Sequence, residues 1–111
     1  MHAAQGVHRF LRSAPCADAL AALYGGEAIP VQAQRYARLA ERFFARFPAH
    51  AQVRLISAPG RAEIGGNHTD HQRGRVLAAA VNLDTAAAVA KNEGRFARID
   101  SEGFAPMEVD L

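Results

Sequence analysis

A chain of 111 residues, half of them hydrophobic and 22% charged, suits one small globular domain and excludes a disordered tail or two comfortable domains. The formal net charge is only +2, and the basic residues, 12 Arg and Lys91, form no clustered run of the kind that binds nucleic acid. Cys16 is the only cysteine, which excludes an internal disulfide framework or a cysteine metal cluster and fits a reducing cytoplasm. The N-terminus has no apolar core of signal-peptide length, and no stretch approaches the roughly 20 apolar residues that cross a bilayer, so no membrane partner is expected.

Residues 1–50 carry helical spacing and residues 52–111 strand spacing. A first, weak helical piece is RFLRS, with Phe10 and Leu11. Pro15 suits the first turn of a second helix, which carries Ala17, Leu20, Ala21 and Leu23 and ends at Gly25-Gly26. Pro30 opens a third helix and Pro48 closes it. Within it Tyr36, Leu39, Ala40, Phe43 and Phe47 form one apolar stripe that reads as core packing. Arg35, Arg38, Arg42 and Arg46 lie mainly off that stripe.

The period changes after His50. QVRLISA alternates Val53, Leu55 and Ser57 against Arg54 and Ile56, and Pro59-Gly60 is expected to end it. RVLAAAVNLD is apolar on both faces and reads as a buried strand. Asn92-Glu93-Gly94 then suggests a β-hairpin across residues 85–101. Met107, Val109 and Leu111 alternate with Glu108 and Asp110 in a last strand that runs into the chain end, as in a piece of a longer protein. The expected fold is α+β, with N-terminal helices packed on a mostly antiparallel sheet: a helical lead-in over 1–50 and a sheet over 51–111.

Between two of these strands lies APGRAEIGGNHTDHQRGRVLAAAV, where Arg61, Asn67, His68, Asp70 and His71 crowd into one loop. Gly65 and Gly66 permit positive φ and a close approach of backbone to a ligand, and Gly74 ends the loop. Loops held by rigid strands commonly carry functional groups. The residue types admit three readings. His68, Asp70 and His71 could ligate zinc or iron, although their spacing matches no established zinc pattern. Asn67 and Asp70 could cap turns in a structural loop. Carboxylate, amide, imidazole and guanidinium together could bind a polyhydroxylated ligand, whose hydroxyls need both donors and acceptors.

The same stretch resembles the galactokinase signature of the GHMP kinase family, G-R-x-N-x-I-G-E-H-x-D-Y-x-x-G-x-V-L-P. Gly60, Arg61, Gly66, His68, Thr69, Asp70, Gly74, Val76 and Leu77 match it in register. The resemblance is firmest over residues 52–90, with the signature loop at 58–77. It implies a sheet of the ribosomal S5 domain 2-like type and a parent enzyme that phosphorylates galactose from ATP and Mg2+ in the cytoplasm. It places Arg61 beside the hydroxyl that is phosphorylated, and His68 and Asp70 on galactose hydroxyls. Among the positions that depart from the signature, Asn67 stands for its Glu, His71 for its Tyr, Glu63 for its Asn and Ala78 for its Pro. Asn67 keeps hydrogen-bonding capacity at the sugar without the charge. The family's glycine-rich phosphate loop and catalytic Asp have no counterpart in these 111 residues. The chain therefore reads as the N-terminal portion of a galactokinase-like protein that holds part of the sugar site. As such it should be inactive alone, completed by the rest of the kinase polypeptide and prone to self-association. The alternatives are another GHMP sugar kinase or a non-catalytic sugar sensor.

Overall fold

The computed structural model of the chain describes residues 2–66, 71 and 73–111, the first three of these by backbone alone. Three helices come first: α1 (His2–Leu11), α2 (Ala14–Tyr24) and α3 (Ile29–Arg46), with a single 3-10 turn at Gly26–Ala28 between the last two. Pro15 and Pro30 each sit in the first turn of their helices, where a missing N–H costs nothing. Gly25, with φ +86°, stops α2, and its N–H caps Ala21 O. The first helix is longer than RFLRS alone suggested; Val7 and Leu11 bring it onto the core, and His8 reaches Glu41 of α3 at 2.8 Å.

The core is small. Among the described residues only Leu11, Cys16, Leu20, Tyr36 and Ala40 are buried, with Val7, Tyr24, Ile29, Ala33, Leu39 and others packed around them. The stripe on α3 is thus core, as its spacing indicates: Tyr36 and Ala40 are its buried centre. Leu55 and Ala86 bring the strands onto the same cluster.

Four strands follow. β1 (Arg54–Gly65) and β2 (Leu77–Val89) form one antiparallel pair; β3 (Phe96–Ile99) and β4 (Met107–Asp110) form another. The chain is α+β with helices and antiparallel strands. Three expectations need correction. First, β1 does not end at Pro59-Gly60 but continues to Gly65. Register explains this: Pro59 faces Asp84 while Arg61 faces Ala80, so β2 bulges out through Val81–Leu83 opposite Gly60. A Cβ on Gly60 would stand 3.0 Å from Val81 Cγ2 and 3.1 Å from the Leu83 carbonyl oxygen. Pro-Gly marks a bulge here, not a strand end.

Second, β2 is not buried. Leu77 is 62% exposed and Leu83 76%, because the helices cover only the end of the hairpin that carries Leu55 and Ala86. Third, residues 85–101 do not form a hairpin. β2 runs to Val89 and β3 starts only at Phe96, and no β2–β3 pairing exists among the described residues. Asn92 folds the link on itself instead: its Oδ1 accepts from Gly94 N at 3.1 Å and its Nδ2 donates to Phe96 O at 2.9 Å. β3 then finds a charge-matched partner in β4, with Arg98 directly opposite Glu108 and ion-paired to it.

Candidate functional site

The β1–β2 hairpin is the frame of the polar loop. Arg61 lies on β1 opposite Ala80, and Glu63 opposite Ala78. The Arg61 side chain is exposed and makes no hydrogen bond or ion pair among the described residues. Glu63 and His71 are exposed as well, and neither is without a partner. Asn67, His68 and Asp70, the other proposed sugar contacts, lie outside the described residues.

Gly66 closes the strand side of the loop. Its φ is +116°, and an added Cβ would lie 2.6 Å from the Arg75 carbonyl oxygen and 2.7 Å from Val76 Cα. The two ends of the loop therefore cross at backbone contact, which only glycine allows. At the other end the left-handed residue is Arg73, with φ 62°, rather than Gly74. A non-glycine residue held in that region costs about 1 kcal/mol or more, so the loop's return into β2 is fixed by its surroundings.

A second polar cluster sits at the base of the hairpin, and the sequence reading missed it. Asp84 of β2 collects four hydrogen bonds. Tyr24 Oη and Ser57 Oγ each donate to Oδ2 at 2.6 Å, Arg35 Nη1 donates to Oδ1 at 2.6 Å, and Arg35 Nη2 donates to the Asp84 carbonyl at 3.3 Å. Tyr24 has one proton and the carboxylate takes it, so the 2.7 Å contact between the two tyrosines is Tyr36 donating to Tyr24 Oη. Every buried polar side-chain atom among the described residues is satisfied.

The electrostatics follow from this wiring. Burial pushes the Asp84 carboxyl up, but the hydrogen bonds from Ser57, Tyr24 and Arg35 and the Arg35 charge prevail and hold it at about 2. Burial, joined by the hydrogen bond to Asp84, pushes the Tyr24 phenol up to about 12. Asp84 is thus a permanent anion, clamped from α2, α3 and β1 together. One signal in the sequence could have found it: a carboxylate at the end of the apolar run VLAAAVNL needs a cation or several donors if it is to be covered. Arg35 supplies the cation, from a position off the apolar stripe of α3. Beside this cluster opens a cleft of about 410 Å3, lined by Leu23, Gln32, Pro59, Val81 and Asn82 as well as the clamp residues.

Among the described residues no three His, Cys, Asp or Glu side chains gather as a metal site. The set from HTDH, with His68 and Asp70, falls outside them. No helix among the described residues is long and apolar enough to cross a membrane.

The hairpin thus carries an exposed Arg61 on β1 and a loop whose ends cross at Gly66. Residues 41–91 match the galactokinase galactose-binding signature, from the last turns of α3 through both strands of the hairpin. The match supports the resemblance to galactokinases and suggests galactokinase-related sugar binding. No solved structure gives a significant match to the chain.

Proposed function

We propose that this chain forms the galactose side of a galactokinase active site, and that the whole protein transfers the γ-phosphate of ATP to the anomeric hydroxyl of galactose. The observation that carries the reading is the match of residues 41–91 to a galactose-binding signature, with Arg61 exposed on β1. Arg61 offers only donors and a fixed positive charge. Beside the anomeric hydroxyl it stabilises the alkoxide that attacks phosphorus. Asp70 accepts hydrogen bonds from sugar hydroxyls, while His68 and Asn67 both donate and accept. Such a set discriminates epimers, because a misplaced hydroxyl leaves buried polar groups unpaired.

ATP and Mg2+ supply the phosphoryl group and the charge neutralisation that such transfers require. The described residues do not fit them: there is no glycine-rich phosphate loop and no gathered carboxylate set. We assign both to residues outside these 111, within a GHMP-type kinase of the cytoplasm to whose S5 domain 2-like sheet this chain contributes. Its residues 1–50 act as helical lead-in and 51–111 as the sheet that carries the sugar loop. A coupled assay on the full-length protein with galactose and with glucose, its C4 epimer, tests the reading. Turnover of galactose far above glucose is expected. Saturable galactose binding without turnover would point to a sugar sensor, and no binding would leave the loop a structural one.

A further inference from the structure

We propose that the Asp84 clamp is a positioning device that holds the bulge opposite Gly60 and so sets where Arg61 stands on its strand relative to the helices. This rests on the role given to Arg61 above. Below the bulge the strands pair as Ala58 with Thr85 and Leu55 with Ala88; above it Arg61 pairs with Ala80. The two halves are out of register by two residues, roughly 7 Å along a strand. Little in the strand sequence defends that offset. β2 holds two alanine triplets, Ala78–Ala80 and Ala86–Ala88, so sliding the lower half by two residues sets Ala86 opposite Leu55 instead of Ala88. At Leu55, the residue that packs on the core, one alanine replaces another, so that contact does not set the register.

The clamp supplies what the alanines lack. Asp84 sits at the lower lip of the bulge, opposite Pro59. It is fixed to α2 through Tyr24, to α3 through Arg35 and to β1 through Ser57. β1 is anchored independently, because Leu55 packs into the helical core. Closing the bulge would slide β2 against β1 and pull Asp84 away from donors on separate elements at once. Asp84, Ser57 and Tyr24 touch no sugar in this scheme; they act through the position of Arg61.

The test uses the whole protein with Cys16→Ala, so that added cysteines are the only reporters in this segment. Residues directly opposed on antiparallel strands have Cα atoms about 4.5–5.5 Å apart, within disulfide range. Ala58→Cys with Thr85→Cys reports the observed register, and Ala58→Cys with Leu83→Cys reports the slipped one. Oxidation of the first pair and not the second is expected, with Asp84→Ala moving crosslinking from the first to the second. In kinetics, Asp84→Ala should lower kcat for galactose at least tenfold when Arg61 is present, and by less than twofold in an Arg61→Ala background. An unchanged crosslink pattern, or an equal loss of kcat in both backgrounds, would overturn the proposal. If Asp84→Ala does not fold, Ser57→Ala reads the same two signals. A wild type that does not turn over galactose counts against the proposed function alone, since the crosslink still decides the register claim.

Discussion

Asp84 and Tyr24 carry the clearest consequence at the scale of single residues. The Asp84 carboxyl titrates at about 2 in the folded chain, below its ordinary value of 3.8. A carboxyl depressed by folding contributes stability that is fully present above its unfolded pKa and is lost as pH falls through the folded one. Asp84 should therefore add about 1–2 kcal/mol at neutral pH, after allowance for solvent screening at the half-open Arg35, and lose it between about pH 4 and pH 2. Thermal unfolding followed across that range should show a steep acid limb in the wild type and a shallower one in Asp84→Asn. Parallel curves would mean that the carboxylate is not clamped. Tyr24→Phe removes one donor from Asp84 and leaves the Tyr36 hydroxyl without its acceptor. A loss of about 1–3 kcal/mol is expected at pH 7, read from denaturant midpoints. No loss would remove the tyrosine relay from the account.

At the scale of elements, the two adjacent glycines of the loop make a matched pair. An added Cβ on Gly65 meets nothing within 4 Å, whereas on Gly66 it meets backbone at 2.6 Å with φ at +116°. Gly65→Ala should shift stability by less than about 0.5 kcal/mol, and Gly66→Ala should cost more than about 2 kcal/mol and weaken galactose binding with it. Melting temperatures of the two variants side by side check this, and equal values would contradict the crossing of the loop ends. The same elements show what was legible in the sequence. The prolines at the helix starts, Gly25 as a stop and the inward set Val53, Leu55 and Ser57 follow from local rules, and the structure keeps them. The bulge at Gly60 did not follow, because Pro-Gly marks a strand end and a bulge alike and only the partner strand decides. The hairpin expected over residues 85–101 failed for a related reason. A turn signal at Asn92 says that the chain folds there, and not which strand it then pairs with. For the candidate site, the motif singles out Arg61 and the glycines, of which Gly66 stands where the loop ends cross. The Asp84 clamp was not, because its members are spread from Tyr24 to Asp84 and meet only in three dimensions.

At the scale of the whole molecule, the chain is open. Its radius of gyration is 17.2 Å, against roughly 13 Å for a compact domain of this length. Ile64, Leu77 and Leu83 on the hairpin and Phe104, Met107 and Leu111 near the end are exposed apolar side chains. Surfaces of this kind associate. The purified 111-residue chain should therefore sediment as concentration-dependent oligomers, and Leu77→Lys with Leu83→Lys should shift it toward monomer. A monomer at all concentrations would show the hairpin face to be inert. The same chain should phosphorylate no sugar, because its sequence holds no glycine-rich phosphate loop of the kind these kinases use.

Calorimetric titration of the full-length protein with galactose tests whether the signature stretch of residues 58–77 grips the sugar. Saturable binding in the wild type and a weakening of at least tenfold in Asp70→Ala are expected. That loss corresponds to one or more charge-assisted hydrogen bonds of about 1.5–3 kcal/mol. Absence of saturable heat in the wild type, or an affinity of Asp70→Ala within twofold of it, would contradict the claim.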